Sequence, residues 1–236
     1  MKGLVVYDGP SMFDKKPILG ILTFKSSNAK TGNMAQLWIL RKDIEPHLAV
    51  KFGNDQSVCG GCKHRHYSGG ACYVLPFQGP LSVYRSYKRG IYPTATEVTL
   101  SILKAYKVRL GAYGDPAMLP PNILKAIDEQ SRGTTGYSHQ WKLKRLSGSM
   151  DFCQGSVDSL EEAATFKSMY PGRKYFRVTD DISDIQSDEV QCPADTHGTT
   201  CAECMMCDGK TQNIVIEVHG AKKSRFTSTI SVKEVM

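Results

Sequence analysis

The chain has 236 residues, 41% of them hydrophobic, so it can bury a core without help from disulfides. No apolar run approaches the roughly 18 residues of a membrane helix, and the N-terminal residues lack the longer apolar stretch of a signal peptide. We therefore expect a cytoplasmic protein with no membrane partner. The 30 basic and 23 acidic residues give a net charge of +7 in scattered groups, which suits nucleic acid, an anionic substrate or a plain solvated surface.

The N-terminal segment carries two apolar pieces, 4–7 and 18–24, which could form a hairpin at a sheet edge or a cover over a barrel bottom. No internal repeat and no long linker divides the sequence. The sequence predicts a single α/β barrel-like domain over 1–236, with 1–34 as an edge or cover segment and 190–210 as a Cys-rich metal-binding insertion.

Beyond this segment, short apolar stretches alternate with stretches of helical pattern. The predicted strands are 35–40, 81–85, 107–113, 134–140, 152–157, 174–179 and 213–218. The predicted helices are 93–105, 120–131 and 159–169. The second helix opens with two prolines, which a first helical turn tolerates, and Ser159 can cap the third.

Strands separated by crossover helices favour a parallel sheet with right-handed connections. Seven or eight such strands predict a complete or partial parallel (β/α) barrel, with Cys-rich metal-binding loops at the C-terminal face of the strands. Ligands collect at that face in such folds. Polar residues that follow predicted strands, among them Asp115, His139 and Asp158, are therefore candidate site residues.

The first cysteine group, Cys59, Cys62 and Cys72, has the spacing of a metal site. The glycine pair between the first two cysteines lets the chain curl so that both thiolates face one ion. Three cysteines leave a fourth coordination position. It can be filled by His64, His66 or Cys153, which closes a structural zinc site, or it can stay open for a substrate or cofactor. Cys153 is also consistent with a small buried hydrophobe.

The second cysteine group comprises Cys192, Cys201, Cys204 and Cys207. Four thiolates in this spacing can close a tetrahedral zinc site or hold a four-iron cluster. Zinc that merely fastens irregular loops is an alternative for both groups, and for the second group it explains the spacing as well as a redox or electron-transfer role does. A reducing cytosol keeps thiols free, so metal sites are favoured over disulfides.

Segments along most of the chain resemble an uncharacterised protein family encoded by tailed bacteriophages. The resemblance lies in residues 28–34, 59–74, 111–116, 135–141, 156–159, 176–178 and 192–207. It implies a phage or prophage origin, and hence the host cytoplasm during infection as the location. It implies no established activity.

Two segments are also similar to radical S-adenosylmethionine enzymes. Cys72 followed by Tyr73 resembles the end of their three-cysteine loop, although nine residues separate Cys62 and Cys72 here and the usual spacing is shorter. Gly114-Asp115-Pro116 resembles the stretch that meets the amino group of the cofactor, with Asp115 in place of glutamate, and residues 156–159 resemble a Ser-Leu-Asp strand end.

This similarity implies a 4Fe-4S cluster on the first cysteine group and S-adenosylmethionine bound near Tyr73, Gly114 and Asp115. It also implies a reducing electron donor, and it places His139, Gln140 and Asp158 at the substrate position. Asp115, His139 and Asp158 are thus the candidate catalytic residues. Simpler roles exist for each of these three: a turn before a helix, a hydrogen-bonded core histidine and a helix cap.

Three functions remain open from the sequence. The first is an iron-sulfur enzyme of the radical type that acts on a nucleotide, nucleic acid or peptide. The second is a zinc-containing transglycosylase-like enzyme that modifies nucleobases, with Asp115 or Asp158 as nucleophile. The third is a zinc-fastened module without catalysis that binds nucleic acid or a host protein through its basic face. The sequence leaves the oligomeric state open.

Overall fold

The computed structural model describes residues 1–26 and 28–226. In these residues ten strands form two five-stranded sheets. The strands are β1 (Gly3–Pro10), β2 (Pro17–Thr23), β3 (Ala35–Arg41), β4 (Val108–Tyr113), β5 (Thr134–Thr135), β6 (Tyr137–Ser138), β7 (Gln154–Val157), β8 (Tyr175–Thr179), β9 (Glu189–Gln191) and β10 (Asn213–Glu217). The domain predicted over 1–236 includes residues 27 and 227–236, which lie outside the described residues.

The first sheet has the order β1-β2-β3-β4-β5. Its first three strands pair antiparallel, and β3, β4 and β5 pair parallel. The N-terminal pieces thus form an antiparallel pair at the sheet edge. β2 is a run of apolar residues buried on both faces, as expected for a strand covered on each side by other elements.

The second sheet has the order β6-β7-β8-β10-β9 and is parallel throughout. Only Gly136 separates β5, in the first sheet, from β6, in the second. A Cβ atom at Gly136 would lie 2.9 Å from the carbonyl oxygen of Leu110, so glycine lets this junction approach β4 closely. The protein is therefore a mixed α/β protein with predominantly parallel strands.

Eight α-helices connect the strands in the described part of the chain. They are α1 (Pro46–Lys51), α2 (Gln56–Cys59), α3 (Gly79–Lys88), α4 (Glu97–Leu100), α5 (Pro121–Gln130), α6 (Leu160–Met169), α7 (Pro193–Thr196) and α8 (Cys201–Cys204). No helix in residues 1–26 and 28–226 combines the length and the apolarity needed to cross a bilayer.

Most predicted elements are confirmed. The predicted strands at 35–40, 107–113, 152–157, 174–179 and 213–218 correspond to β3, β4, β7, β8 and β10. The prediction at 134–140 corresponds to β5 and β6, which end at Ser138 because His139 opens a 3-10 turn. The helices predicted at 120–131 and 159–169 are α5 and α6, and the Ser159 hydroxyl accepts the Glu162 N–H at 3.1 Å as a cap.

One predicted strand is wrong, and one predicted helix is wrong in part. The stretch 81–85 is not a strand but the middle of α3, whose buried residues Pro80, Val83 and Tyr84 follow helical spacing. The helix predicted at 93–105 starts only at Glu97, where Thr96 forms a capping box with Thr99, and continues from Ser101 as a 3-10 helix.

Candidate functional site

One cavity of about 230 Å³ lies between the two cysteine groups. Three cysteines of each group line it: Cys59, Cys62, Cys72, Cys192, Cys201 and Cys207. Cys204 lines an adjoining smaller cavity together with the other three members of its group. The structure thus places both groups at one site, although they are far apart in the sequence.

The loop that carries the first group is held by buried polar contacts. Arg65 binds both carboxylate oxygens of Asp55 at 2.5 and 3.1 Å, at the start of α2. The side-chain amide of Gln140 accepts the Gly61 N–H at 3.0 Å and donates to the Cys59 carbonyl at 3.0 Å. Gln140, expected from the sequence at the substrate position, is 1% exposed and fastens the cysteine loop instead.

Gly60 must be glycine at this contact. Its φ of +59° disfavours other residues, and a Cβ atom there would lie 2.4 Å from Oε1 of Gln140. The tight turn between Cys59 and Cys62 is therefore built around the Gln140 amide.

Replacing Gln140 by alanine should loosen this loop. The change removes the hydrogen bonds to the Gly61 N–H and the Cys59 carbonyl, and a typical hydrogen bond contributes about 0.5–1.5 kcal/mol. We expect a lower free energy of unfolding in urea and faster proteolytic cleavage within 60–70. Gln56→Ala, an exposed change in neighbouring α2, is the control, and equal cleavage rates in both variants would contradict this role.

The three cysteines of the first group are partly buried, and their thiols influence one another. Burial raises the pKa of Cys59, and the nearby Asp55, Cys62 and Cys72 raise it further. Burial likewise raises the pKa of Cys62 and of Cys72. The backbone N–H of His64 acts to lower the pKa of Cys62, and that of Val74 acts to lower the pKa of Cys72, but burial has the larger effect. Buried thiols of raised pKa stay protonated until a bound cation offsets the thiolate charge.

The three candidates for a fourth ligand are all engaged elsewhere. His66 lies with Nε2 at 2.6 Å from the Val74 carbonyl and Nδ1 at 2.6 Å from Nζ of Lys222. Cys153 is buried in the hydrophobic core and donates to the Ser149 carbonyl at 3.2 Å. His64 faces Asp158, with Nε2 at 3.0 Å from Oδ1. The first group therefore presents three thiols to the cavity, and none of these three candidates completes a fourth position beside them.

The second group lies in the connection between β9 and β10. Cys192 directly follows β9, and α8 carries Cys201 and Cys204. The N-terminus of α8 is fixed by a capping box of Thr200 and Glu203, and the Cys201 N–H donates to the Lys30 carbonyl at 2.9 Å.

The thiols of this group also influence each other. Burial raises the pKa of Cys207, and the charges of Cys192, Cys201 and Cys204 raise it further, so the four sulfurs converge on one region. Burial raises the pKa of Cys192, and the nearby backbone N–H of Ala194 acts to lower it.

Asp115 follows β4 and lines the cavity while its oxygens accept backbone N–H groups. Oδ1 accepts from Ala117 at 3.0 Å and starts a 3-10 helix, and Oδ2 accepts from His139 at 2.8 Å. Burial raises the pKa of Asp115 despite these bonds. Gly114 lines the cavity next to it with a φ of +82°, where a Cβ atom would lie 2.7 Å from that of Ile39.

Asp158 follows β7 and is 2% exposed. It does not cap α6, since Ser159 does; its carboxylate meets Lys63 at 3.2 Å and His64 at 3.0 Å. Burial alone would raise the pKa of Asp158, but His64, His139 and Lys63 outweigh burial and hold it well below its usual value. His139, whose pKa is lowered by burial, lines the cavity beside His64.

Arg109 and Tyr137 are site residues that the sequence did not single out. Arg109, on β4, donates to the hydroxyls of Tyr137 at 2.7 Å and Tyr73 at 3.1 Å, and all three line the cavity. No carboxylate of the described residues forms a salt bridge with Arg109. The wall between the cysteine groups thus carries a positive charge flanked by aromatic rings.

Fold and site together define a mixed α/β protein whose parallel strands end at a cavity between two cysteine groups. Comparison of the chain with protein-family models, curated proteins and solved structures gave no match. The function is therefore inferred from the geometry of the site itself.

Proposed function

We propose that this protein is a phage-encoded iron-sulfur enzyme that uses S-adenosylmethionine and acts on a nucleotide or a related anionic substrate. The observation that carries the proposal is the single cavity lined by three cysteines of each group. Clusters bound by the two groups would both face this cavity, so one substrate bound there would lie near each of them.

The strand arrangement supports a partial parallel barrel around this cavity. β5 and β6 are separated by one residue, so the two sheets can continue into each other. Asp115, His139, Asp158 and Cys192 each follow the carboxyl end of a parallel strand, β4, β6, β7 and β9 respectively. Parallel α/β folds bind their ligands at this end.

The donor set of both groups fits iron-sulfur clusters. Thiolates are the ligands of such clusters, and the backbone N–H groups of His64, Val74 and Ala194 act to lower the pKa of Cys62, Cys72 and Cys192 respectively, which favours their thiolate forms. Tetrahedral zinc with Zn–S bonds of about 2.3 Å holds its sulfurs roughly 3.8 Å apart. Among the described residues no three cysteine sulfurs lie within 4.8 Å of one another, so neither group is as compact as such a zinc site requires.

The first group would hold a cluster through Cys59, Cys62 and Cys72. A four-iron cluster with one iron free of protein ligands supplies, together with S-adenosylmethionine, a radical able to remove hydrogen from a substrate. The chain itself offers Asp115, whose remaining oxygen lone pairs can accept an ammonium group. Tyr73 lies next to Cys72 and lines the same wall.

The cavity wall favours an anionic, aromatic substrate. Arg109 supplies a positive charge, and the Tyr137 ring stacks on Phe176 with centroids 4.6 Å apart. A nucleotide combines the negative charge and the flat ring that such a wall binds.

Binding of S-adenosylmethionine tests this proposal. Anaerobically reconstituted protein should bind one equivalent in equilibrium dialysis and, after reduction, release methionine and 5′-deoxyadenosine. Asp115→Asn should weaken binding at least tenfold, roughly 1.4 kcal/mol, while the exposed Glu129→Gln should not. Iron-loaded protein that neither binds nor cleaves the compound would contradict the proposal, and colourless protein with stoichiometric zinc would favour the transglycosylase or the binding module.

A further inference from the structure

We propose that His64, His139 and Asp158 form a binding site for one divalent transition-metal ion on the cavity wall, separate from both cysteine groups. One ligand atom from each residue lies within 4.8 Å of the other two. The three residues come from the first cysteine loop, the end of β6 and the end of β7, so the fold brings them together from distant parts of the sequence. The site does not depend on what the cysteines hold.

Each of the three residues has a buried side-chain atom without a hydrogen bond. Nε2 of His64, Nε2 of His139 and Oδ1 of Asp158 have no hydrogen-bond partner among the described residues, and the 3.0 Å contact of His64 with Asp158 lacks hydrogen-bond geometry. Buried polar atoms without partners are costly, so three that converge call for a shared partner. An ion bound between them satisfies all three at once.

Neighbouring contacts leave these atoms free for an ion. Lys63 meets the other carboxylate oxygen of Asp158, Oδ2, at 3.2 Å and leaves Oδ1 available. The His64 ring stacks on Phe226 with centroids 5.4 Å apart, which fixes its orientation. Outer contacts of this kind orient the ligands of metal sites.

The donor set identifies the class of ion. Two imidazoles and one carboxylate suit Fe²⁺ or Zn²⁺, whereas Mg²⁺ and Ca²⁺ prefer oxygen ligands. Three protein ligands leave coordination positions open, and since His64 and His139 line the cavity, these positions lie beside the proposed substrate site. The ion would thus supply a Lewis acid or a bound water within reach of the substrate.

Cobalt provides a probe that distinguishes this site from the cysteines. The full-length protein, with its cysteine groups already saturated by iron or zinc, is dialysed against Co²⁺ alone. We expect one added equivalent whose X-ray absorption shows nitrogen and oxygen ligands without sulfur. Competition with Fe²⁺ and with Zn²⁺ then shows which of the two the site prefers.

Substitutions test the ligands. Loss of outer-shell partners costs about 10–100-fold in metal affinity, so Asp158→Asn and His139→Gln should each weaken cobalt binding at least that much. His47→Gln, a histidine beside Glu45 and outside the cavity, should leave it unchanged.

Two results with the wild-type protein would overturn the proposed site: no added ion, which would leave a trapped water as the shared partner, or sulfur among the cobalt ligands. Unchanged cobalt affinity in both variants would overturn it as well. The wild-type absorption measurement decides the matter even if a variant fails to fold.

Discussion

Cys62→Ala should remove about four of about eight iron atoms per chain, because a four-iron cluster is lost when one of its three protein thiolates is removed. Cys62 lines the cavity together with the other two cysteines of its group. The second group has its own four thiols and should keep its iron. S-adenosylmethionine binding should be lost together with the first cluster. Iron and acid-labile sulfide, measured in anaerobically purified protein, check this result.

Cys153→Ala is the matched control for this experiment. Cys153 is also a buried cysteine, but it lies in the hydrophobic core and donates to the Ser149 carbonyl. Its loss should leave the iron content unchanged and lower stability only through the small cavity that it creates. If Cys62→Ala and Cys153→Ala retained equal amounts of iron, the first cysteine group would not be a cluster site.

Glu189→Gln should destabilise the protein by about 3 kcal/mol, the lower end of the usual effect of breaking a buried ion pair, because Arg177 also pairs with Asp184. Arg177, 1% exposed, binds both carboxylate oxygens of Glu189 at 2.7 Å between β8 and β9. Tyr175 donates to the same carboxylate at 3.0 Å. The substitution removes the fully buried counter-charge and leaves the guanidinium with Asp184, at 2.9 Å, as its remaining carboxylate partner. Urea unfolding measures the loss.

The same pair predicts a dependence of stability on pH. Burial would raise the pKa of Glu189, but the hydrogen bonds from Arg177 outweigh it and hold the pKa below the ordinary value of 4.5. The stabilisation is therefore fully present above pH 4.5 and is lost as the pH falls through the lower pKa of the folded state. The difference in unfolding free energy between wild type and Glu189→Gln should shrink in that range.

Glu129→Gln serves as the control, since Glu129 forms only an exposed pair with Lys125 at 3.7 Å. Such pairs contribute about 0–1 kcal/mol. Equal unfolding free energies for the two variants at neutral pH would contradict the role of the buried pair.

The sequence predicts most strands because their residues carry the signal locally. β3, β4, β8 and β10 are short apolar or β-branched runs, and this composition alone favours a buried strand. β9 carries no such signal, because Glu189 is buried only through Arg177 and Tyr175, which are distant in the sequence. The helix α3 resembles a strand locally, and its true period appears only where Pro80, Val83 and Tyr84 meet the core.

The features of the site likewise separate into those that a local sequence pattern predicts and those that depend on tertiary contacts. Cysteine spacing indicates the two groups, and residues after strands indicate Asp115, His139 and Asp158, since both kinds of signal are local. The contact of His64 with Asp158, the role of Gln140 in fastening the loop and the position of Arg109 depend on tertiary contacts. No local sequence pattern encodes these three features, so only the folded structure reveals them.

Quantification of iron, acid-labile sulfide and zinc in anaerobically purified full-length protein tests the central claim most directly. The account predicts a brown protein with about eight iron and eight sulfide per chain and little zinc, as two four-iron clusters require. A colourless protein with about two zinc ions per chain and no sulfide would contradict it.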